Sequence, residues 1–200
     1  MHKACTYAKL KYVTTDARNV PSKRNVILEA TIRVLREHGL SGLKVEEVAR
    51  QAEVGKGTVY LYFEDKQDLL KALVEYHTHR FYADAAAITE ADRPFEERLR
   101  DLLKRRLAFV EEWRGLWSAV AREAAPEGQK AWLTGLHRNY QDILERFIAS
   151  GIASGELRSD LDVPLTAATL AAFGCSPQLD FPREAYLGQL VEVFMKGVRA

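Results

Sequence analysis

Apolar residues recur at helical spacing along most of the chain. Between Ser22 and Gly39 they return every three or four positions, which is the pattern of a helix with one face turned towards a core. Ser22 supplies the N-cap of this first helix, and Gly39 marks its end. A longer pattern, from about residue 66 to 90, follows Glu64 and Asp65, which act as its cap. Both stretches are therefore predicted to be α-helices.

Four more helices are predicted further along the chain. Their expected extents are Pro94 to about Ala125, about residue 129 to Gly151, the stretch that follows Pro164, and Tyr186 to Val198. Pro126 and Gly128 break the chain after the first of these, and Cys175 to Pro182 is predicted to be a loop. No stretch alternates apolar and polar residues as a half-buried strand does. The pattern therefore predicts an all-α protein.

Two short helical patterns meet at a tight turn between residues 45 and 63. Val48, Ala49 and Ala52 form an apolar stripe on the first, and Val59 and Phe63 continue it on the second. A small residue, a turn four residues later and a buried aliphatic residue beyond the turn have the spacing of a helix-turn-helix. In that motif the second helix crosses close above the first, so the residue beneath it must be small.

The outward face of the second short helix carries hydrogen-bond donors and aromatic rings, from Lys56 to Tyr62. Such groups suit a phosphate backbone and the floor of a DNA groove. The overall charge is only +1, but residues 1–66 hold twelve Lys or Arg against eight Asp or Glu, and the rest hold seventeen against twenty. A basic DNA-reading part joined to a mildly acidic part would show this asymmetry.

The run from Val54 to Phe63, followed by Lys66 and the pair Leu69 and Leu70, resembles the DNA-binding signature of the TetR family of bacterial regulators. That signature reads roughly Val-Ser-Lys-Gly-Thr-aliphatic-Tyr-x-Tyr-Phe, with a Lys before an amphipathic helix. The chain departs from the family at two places. Glu53 stands where the family usually has Gly, and a left-handed Glu there costs roughly 1–2 kcal/mol. Lys44 and Val45 stand where it usually has Thr, which removes a helix cap worth about 1 kcal/mol.

The resemblance implies an N-terminal three-helix head with a helix-turn-helix, followed by a larger helical body that binds a ligand and dimerises. The expected divisions are a flexible basic leader (1–21), a DNA-binding domain (22–66) and an effector-binding and dimerisation domain (67–200). The leader is either disordered or an arm that lies along the DNA. The expected partners are double-stranded operator DNA and a second copy of the chain. The expected DNA contacts are Lys44, Gly55, Lys56, Gly57, Thr58, Tyr60, Tyr62 and Lys66.

Aromatic residues at helical spacing in the body are interpreted either as core or as the lining of an apolar pocket. The second interpretation predicts a small hydrophobic effector, of aromatic or acyl type, held between the helices of the body. The candidate effector contacts are Phe81, Phe109, Trp113, Trp117, Arg122, Trp132, His137 and Tyr140. Arg138 and Asn139 are further polar residues that would orient such a ligand.

Several other classes of site are not expected. Cys5 and Cys175 form neither a disulfide framework nor a zinc-binding spacing. His77 and His79, two residues apart, cannot share a helical face, so no metal site and no cofactor are predicted and His77 is expected to pack against the core. No apolar run is long enough to cross a membrane, and the first twenty residues lack the apolar region of a signal peptide. The expected location is the cytoplasm, without a membrane partner.

The predicted function is therefore a DNA-binding transcriptional regulator: a homodimeric repressor of a palindromic operator, released by a hydrophobic effector. One alternative is an architectural or interaction factor without a small-molecule ligand, which would have a solidly filled body. An activator would use the same DNA contacts. An enzyme is not expected, since the sequence has no Gly-rich phosphate loop, metal cluster or nucleophile motif.

Overall fold

A computed structural model of the chain describes residues 22–113, 116–124, 130–173 and 182–200, without the side chains of residues 130, 131 and 133. The regular elements within these ranges are nine α-helices: α1 (Lys23–His38), α2 (Val45–Gln51), α3 (Lys56–Tyr62), α4 (Lys66–Thr89), α5 (Phe95–Trp113), α6 (Trp117–Ala124), α7 (Lys130–Ala153), α8 (Val163–Ala172) and α9 (Arg183–Val198). Within the same ranges, β pairing is limited to an isolated bridge between Leu157 and Arg199. The prediction of an all-α protein is confirmed.

Some predictions fall outside the described residues. These are the leader (1–21), the break at Pro126 and Gly128, and the loop from Cys175 up to Phe181. Within the described ranges, none of the helices is both long enough and apolar enough to span a membrane.

Side chains at the helix ends satisfy backbone groups that the helices leave without partners. The Ser22 hydroxyl accepts a hydrogen bond from the amide of Asn25 at 3.2 Å, and the Asp65 carboxylate accepts one from the amide of Asp68 at 2.8 Å. Gly39 ends α1 with a φ of 68°, a left-handed conformation that glycine adopts without strain. The predicted limits of α1 and α4 are thus confirmed.

The predicted helix from Pro94 to Ala125 is wrong, because the structure divides it. α5 ends at Trp113, and α6 begins at Trp117. The amide of Leu116, which lies outside both helices, donates to the carbonyl of Trp113 at 2.8 Å. The sequence has Gly115 at this point, a poor helix former. The Trp117 ring lies edge-on to the Trp113 ring at 4.9 Å, so the two tryptophans still share one apolar face although they lie on different helices.

The first three helices pack together at the N-terminal end, and α4 connects them to the rest of the molecule. α2 and α3 form the predicted helix-turn-helix, with Ala49 and Val59 buried where the two helices meet. α4 packs against α1 and also against α5, α6 and α7. α7 packs on α8, and α5 packs on α9. α4 is therefore shared by the N-terminal helices and the C-terminal helices.

Candidate DNA-binding surface and ligand cavity

The surface of α3 presents the predicted DNA contacts to solvent. Lys56, Gly57, Tyr60 and Tyr62 are exposed, and Thr58 is half-buried. A Cβ atom at Gly57 would have no neighbour within 4 Å, so packing within the protein does not require glycine here. The absence of a side chain lets a partner approach the backbone of α3 closely. Gly55 caps α3, and its carbonyl accepts from the amide of Thr58 at 2.8 Å. α3 thus offers one continuous, solvent-exposed face for a groove.

Lys56 is already engaged by a carboxylate from α2. Its amine lies 2.5 Å from the Glu46 carboxylate and 5.8 Å from the centre of the Tyr60 ring. The hydrogen bond from Lys56 lowers the pKa of Glu46 below its ordinary value, and the same bond raises the pKa of Lys56. The hydrophobic pattern did not reveal this pair because its members lie on different helices. Any phosphate that binds Lys56 must compete with Glu46.

Lys44 and Lys66 flank α2 and α3 in the chain, at the starts of α2 and α4. The Lys66 amine donates to the carbonyl of Leu40 at 3.3 Å, so this residue ties the start of α4 to the turn that follows α1. Lys44 is exposed at the N-terminus of α2 and makes no side-chain cap bond, which matches the cap that was expected to be lost with Thr. Glu53 lies in the turn between the two helices with a φ of 55°, the left-handed conformation anticipated for it.

A cavity of about 700 Å³ lies between α4, α5, α6, α7 and α8. Six of the eight candidate effector residues line it: Phe81, Phe109, Trp113, Trp117, His137 and Tyr140. The other two lie elsewhere among the described residues. Arg122 is exposed on α6, and the Trp132 indole donates to the Glu75 carboxylate at 3.0 Å. Trp132 therefore packs against α4 beside the cavity.

The aromatic rings along the cavity form one connected cluster. The Phe81 ring lies 4.8 Å from Phe109 and 5.0 Å from Tyr140. Phe109 contacts Trp117 edge-on at 5.3 Å. Rings in such tilted and edge-on arrangements attract each other beyond the burial of their area. The cluster therefore gives the cavity a stiff apolar wall without filling it.

Several polar groups also line the cavity, and sequence reasoning missed most of them. His137 and Arg138 were expected, and the polar lining residues that were missed are Thr78, Tyr82, Arg106, Ser118, Thr134 and Gln141. The apolar lining residues Val110, Leu136 and Ala171 were missed as well. Helical spacing carried a usable signal for some. Arg106 lies three positions before Phe109, and Thr78 lies three before Phe81, so each shares a helical face with a predicted lining residue. Asn139 points elsewhere and is exposed.

His77 lies behind the cavity wall. Its ring is buried and contacts Trp113 edge-on at 5.4 Å, so the expectation of a packed helix histidine is confirmed. Burial, helped by nearby arginines that include Arg80 and Arg36 and opposed by the Glu29 carboxylate, lowers the pKa of His77 to about 4. The side chain is consequently neutral at physiological pH.

One group of side chains in the described ranges has the spacing of metal ligands. The ligand atoms of Glu37, His38 and Glu47 lie within 4.8 Å of one another on the surface between α1 and α2. Both carboxylates already have partners, since Gln51 donates to Glu37 at 2.8 Å and Arg50 donates to Glu47 at 2.5 Å. This group is therefore a hydrogen-bonded surface cluster.

Polar contacts connect α1 to the helices that surround the cavity. The Arg36 guanidinium donates to the carbonyl of Glu112 at 2.6 Å, one residue before Trp113. Glu29 accepts from the Tyr76 hydroxyl at 3.1 Å and from Arg80 at 2.6 Å. α1 is thus held to both α4 and the end of α5.

Comparison with known protein families matches two segments of the chain. Residues 27–73 match the family described as "Bacterial regulatory proteins, tetR family", and residues 92–176 match "Tetracyclin repressor-like, C-terminal domain". The HTH-type transcriptional regulator BetI of Cronobacter sakazakii is 30% identical over 183 residues, covering 84% of this chain and 82% of that protein. The fatty acid metabolism regulator protein of Bacillus subtilis is 26% identical over 141 residues, covering 70% of this chain and 73% of that protein.

The fold is also found in solved structures. The crystal structure of the transcriptional regulator FadR from Bacillus subtilis in complex with stearoyl-CoA superposes with a TM-score of 0.69 at 20% identity, covering 88% of this chain and 99% of that chain. The helix-turn-helix of α2 and α3 falls within the first matched range and α5 to α8 fall within the second, whereas the cavity-lining part of α4 lies between the two. The chain belongs to the TetR family of bacterial DNA-binding transcriptional regulators.

Proposed function

We propose that the protein is a homodimeric repressor that binds a palindromic operator and is released by a small hydrophobic effector. Residues 22–66 form the DNA-binding head, and residues 67–200 form the body that binds the effector and dimerises. The observation that carries this proposal is the aromatic-lined cavity of about 700 Å³ against α4. This volume lies within the range typical of small-molecule sites, roughly 300–1,000 Å³.

In the proposed complex, α3 lies in the major groove and its N-terminal end approaches the bases. Lys56, Gly57 and Thr58 approach base edges or the backbone, while Tyr60, Tyr62 and Lys66 contact phosphates. Lys44 and Gly55 complete the set at the starts of α2 and α3. Because Glu46 holds Lys56, the first DNA contact exchanges a carboxylate for a phosphate.

The proposed dimer uses α8 and α9. Leu165 of α8 is 67% exposed and Val193 of α9 is 51% exposed, and the small residues Ala168 and Ala172 are also exposed on α8. Small residues let two helices approach closely, and exposed large apolar residues favour burial against a partner. Two heads would then reach half-sites about 34–36 Å apart.

The proposed effector is an acyl or aromatic compound. The aromatic cluster around Phe81 suits an apolar ligand body. The relatives support the acyl type in particular, since one is a fatty acid metabolism regulator and a structural neighbour holds stearoyl-CoA. An occupied cavity would shift α4 and the end of α5, and through them the head. Since coupling is reciprocal, operator DNA must weaken the binding of the effector by the same factor by which the effector weakens the binding of the operator.

A ligand-free architectural factor is the second candidate function. Such a factor is expected to have a solidly filled body, whereas the described helices leave a cavity of about 700 Å³. An activator would use the same surface and differ only in where its operator lies.

The proposal is tested by binding the purified protein to fragments of its own upstream region at two salt concentrations, with and without acyl-CoAs and aromatic compounds. We expect tight binding to one palindromic fragment and release by one class of compound. Lys56→Ala should weaken this binding, and Lys104→Ala, an exposed lysine on α5, should leave it unchanged. Tight binding that is indifferent to every compound would support the ligand-free factor.

A further inference from the structure

We infer that the effector carries an anionic group, a carboxylate or a phosphate, which Arg106 binds inside the cavity. This inference rests on the proposed function, because it assigns a ligand class to the same cavity. A hydrophobic compound of any charge would satisfy the proposed function, whereas the charges around the cavity favour a compound that is also anionic.

The charged side chains along the cavity have one sign. Its described lining includes two arginines, Arg106 and Arg138, and it includes no Asp or Glu. Nearby carboxylates are turned to other partners. Asp84 binds Arg105 at 2.7 Å, and Glu75 accepts from the Trp132 indole. The potential inside the cavity is therefore positive, which favours an anion over a neutral or cationic ligand.

Arg106 is the cavity arginine that lies against the aromatic rings. It is half-buried on α5, and its guanidinium lies 5.8 Å from the centre of the Phe81 ring and 5.5 Å from that of Tyr140. Ring contacts hold the guanidinium plane in place, which reduces the entropy lost when it binds a ligand. A planar guanidinium binds a carboxylate or phosphate through two parallel hydrogen bonds.

Arg138 and His137 differ from Arg106 in position. Both are exposed on α7, so they lie at the open side of the cavity. An anion that enters from solvent meets these groups first and Arg106 further in. The apolar body of the ligand then lies against Phe109, Trp113 and Trp117. The class that fits is an amphipathic anion with an acyl or aromatic body.

The experiment is isothermal titration of the full-length protein with matched anionic and neutral compounds. The carboxylates are hexanoate, octanoate, decanoate and phenylacetate, and each is compared with its methyl ester. Decyl phosphate and decanoyl-CoA distinguish a phosphate from a carboxylate as the bound group. We expect at least one anion to bind about tenfold or more tightly than its neutral partner, as a charge-assisted hydrogen bond implies.

Variants assign this preference to one residue. Arg106→Met should remove most of the preference by weakening the anion and not the ester, and Arg106→Lys should restore part of it. Arg100→Met, at an exposed position on the same helix, should change neither affinity. Circular dichroism confirms that each variant is folded.

The outcomes separate this inference from the proposed function. Esters that bind as tightly as their acids and still release DNA would overturn the anionic group and leave the repressor intact. An anion that binds through Arg106 without changing DNA affinity would support the anionic group and overturn effector release. Equal losses for acid and ester in Arg106→Met would overturn the role of Arg106, and binding by none of the compounds would overturn the inference.

Discussion

Two residues of the N-terminal helices, Glu53 and Lys56, are held in unfavourable arrangements: the backbone of Glu53 is strained, and the amine of Lys56 is already paired. Glu53 adopts a φ of 55° in the turn before α3, a conformation that costs an L-residue roughly 1–2 kcal/mol. Its amide still donates to the carbonyl of Arg50 at 3.2 Å, so the turn forms despite the strain. Lys56 binds Glu46 on the surface proposed to contact DNA, which limits the attraction of Lys56 to any phosphate.

His77 is a third residue whose environment sets its chemistry. It is buried between Trp113 and Tyr76, with ring centres 5.4 Å and 5.3 Å away. Within the described contacts, its Nε2 atom has no hydrogen-bond partner. Burial without a partner disfavours the charged ring, and the pKa falls from 6.5 to about 4 for that reason. The unfolded chain therefore binds a proton at a higher pH than the folded protein does.

The pH dependence of stability should follow from His77. The contribution of His77 to the free energy of unfolding is present in full above pH 6.5 and is lost as the pH falls towards 4. The reason is that mainly the unfolded state gains a proton between these pH values. We expect the wild type to lose about 3 kcal/mol more than His77→Leu between these two pH values. Urea unfolding of both proteins across this range measures the difference. His79→Leu, an exposed position on the same helix, should follow the wild type; parallel curves for His77→Leu and the wild type would refute the assignment.

At the scale of elements, the close approach of α7 to the start of α5 depends on one glycine. A Cβ atom at Gly151 would lie 2.7 Å from the Phe95 ring and 2.8 Å from the Leu157 side chain. The Phe95 ring cannot move away freely, because it stacks on Phe147 at 4.2 Å. The carbonyl of Gly151 also accepts hydrogen bonds from the amides of Glu156 and Leu157 at 3.0 Å. The end of α7 is therefore held by the Phe95 ring, by the Leu157 side chain and by two backbone hydrogen bonds.

Gly151→Ala should destabilise the protein by about 1–3 kcal/mol, the usual cost of adding a methyl group to a packed core. The matched control is Gly135→Ala on the same helix, where a Cβ atom would have no neighbour within 4 Å. This second change should be neutral or stabilise by up to about 1 kcal/mol, since alanine is the better helix former. Urea midpoints of the two variants provide the test, and a Gly151→Ala variant as stable as Gly135→Ala would contradict the packing argument.

At the scale of the whole molecule, two polar connections join the head to the cavity. Arg36 of α1 binds the carbonyl of Glu112 beside Trp113, and Glu29 of α1 binds Tyr76 and Arg80 of α4. Trp113 lines the cavity, so a ligand that displaces this ring also acts on the carbonyl that Arg36 binds. The head can thus respond to the cavity through α5 as well as through α4.

Arg36→Met should weaken the coupling between effector and operator while each ligand still binds alone. We expect the coupling factor to fall roughly 2- to 30-fold, which corresponds to about 0.5–2 kcal/mol. The measurement is the operator affinity with and without effector, together with the effector affinity with and without operator; the two ratios must agree. Arg33→Met is the control, because Arg33 donates to the carbonyl of Gln51 within the head. An unchanged factor in Arg36→Met would show that α4 alone transmits the signal.

The sequence by itself determined the helices, their caps and the helix-turn-helix. These features depend on residues within a few positions of each other: Ser22 and Asp65 cap their own helices, and Ala49 and Val59 lie on adjacent helices joined by a short turn. The same local logic failed after Trp113, where the hydrophobic spacing continued through a break in the helix. Periodicity reports which face is buried, and two successive helices can share one buried face.

Only the tertiary structure decided which side chains meet across the fold. The Lys56–Glu46 pair joins two helices, Arg36 reaches a carbonyl 76 positions away, and the cavity combines residues from five helices. Arg106 was overlooked because it ends a basic run that begins at Lys104, and such a run usually lies on a solvated face, whereas here Arg106 lies over two aromatic rings. Such contacts depend on how helices cross, and that geometry is set by the packing of the whole core.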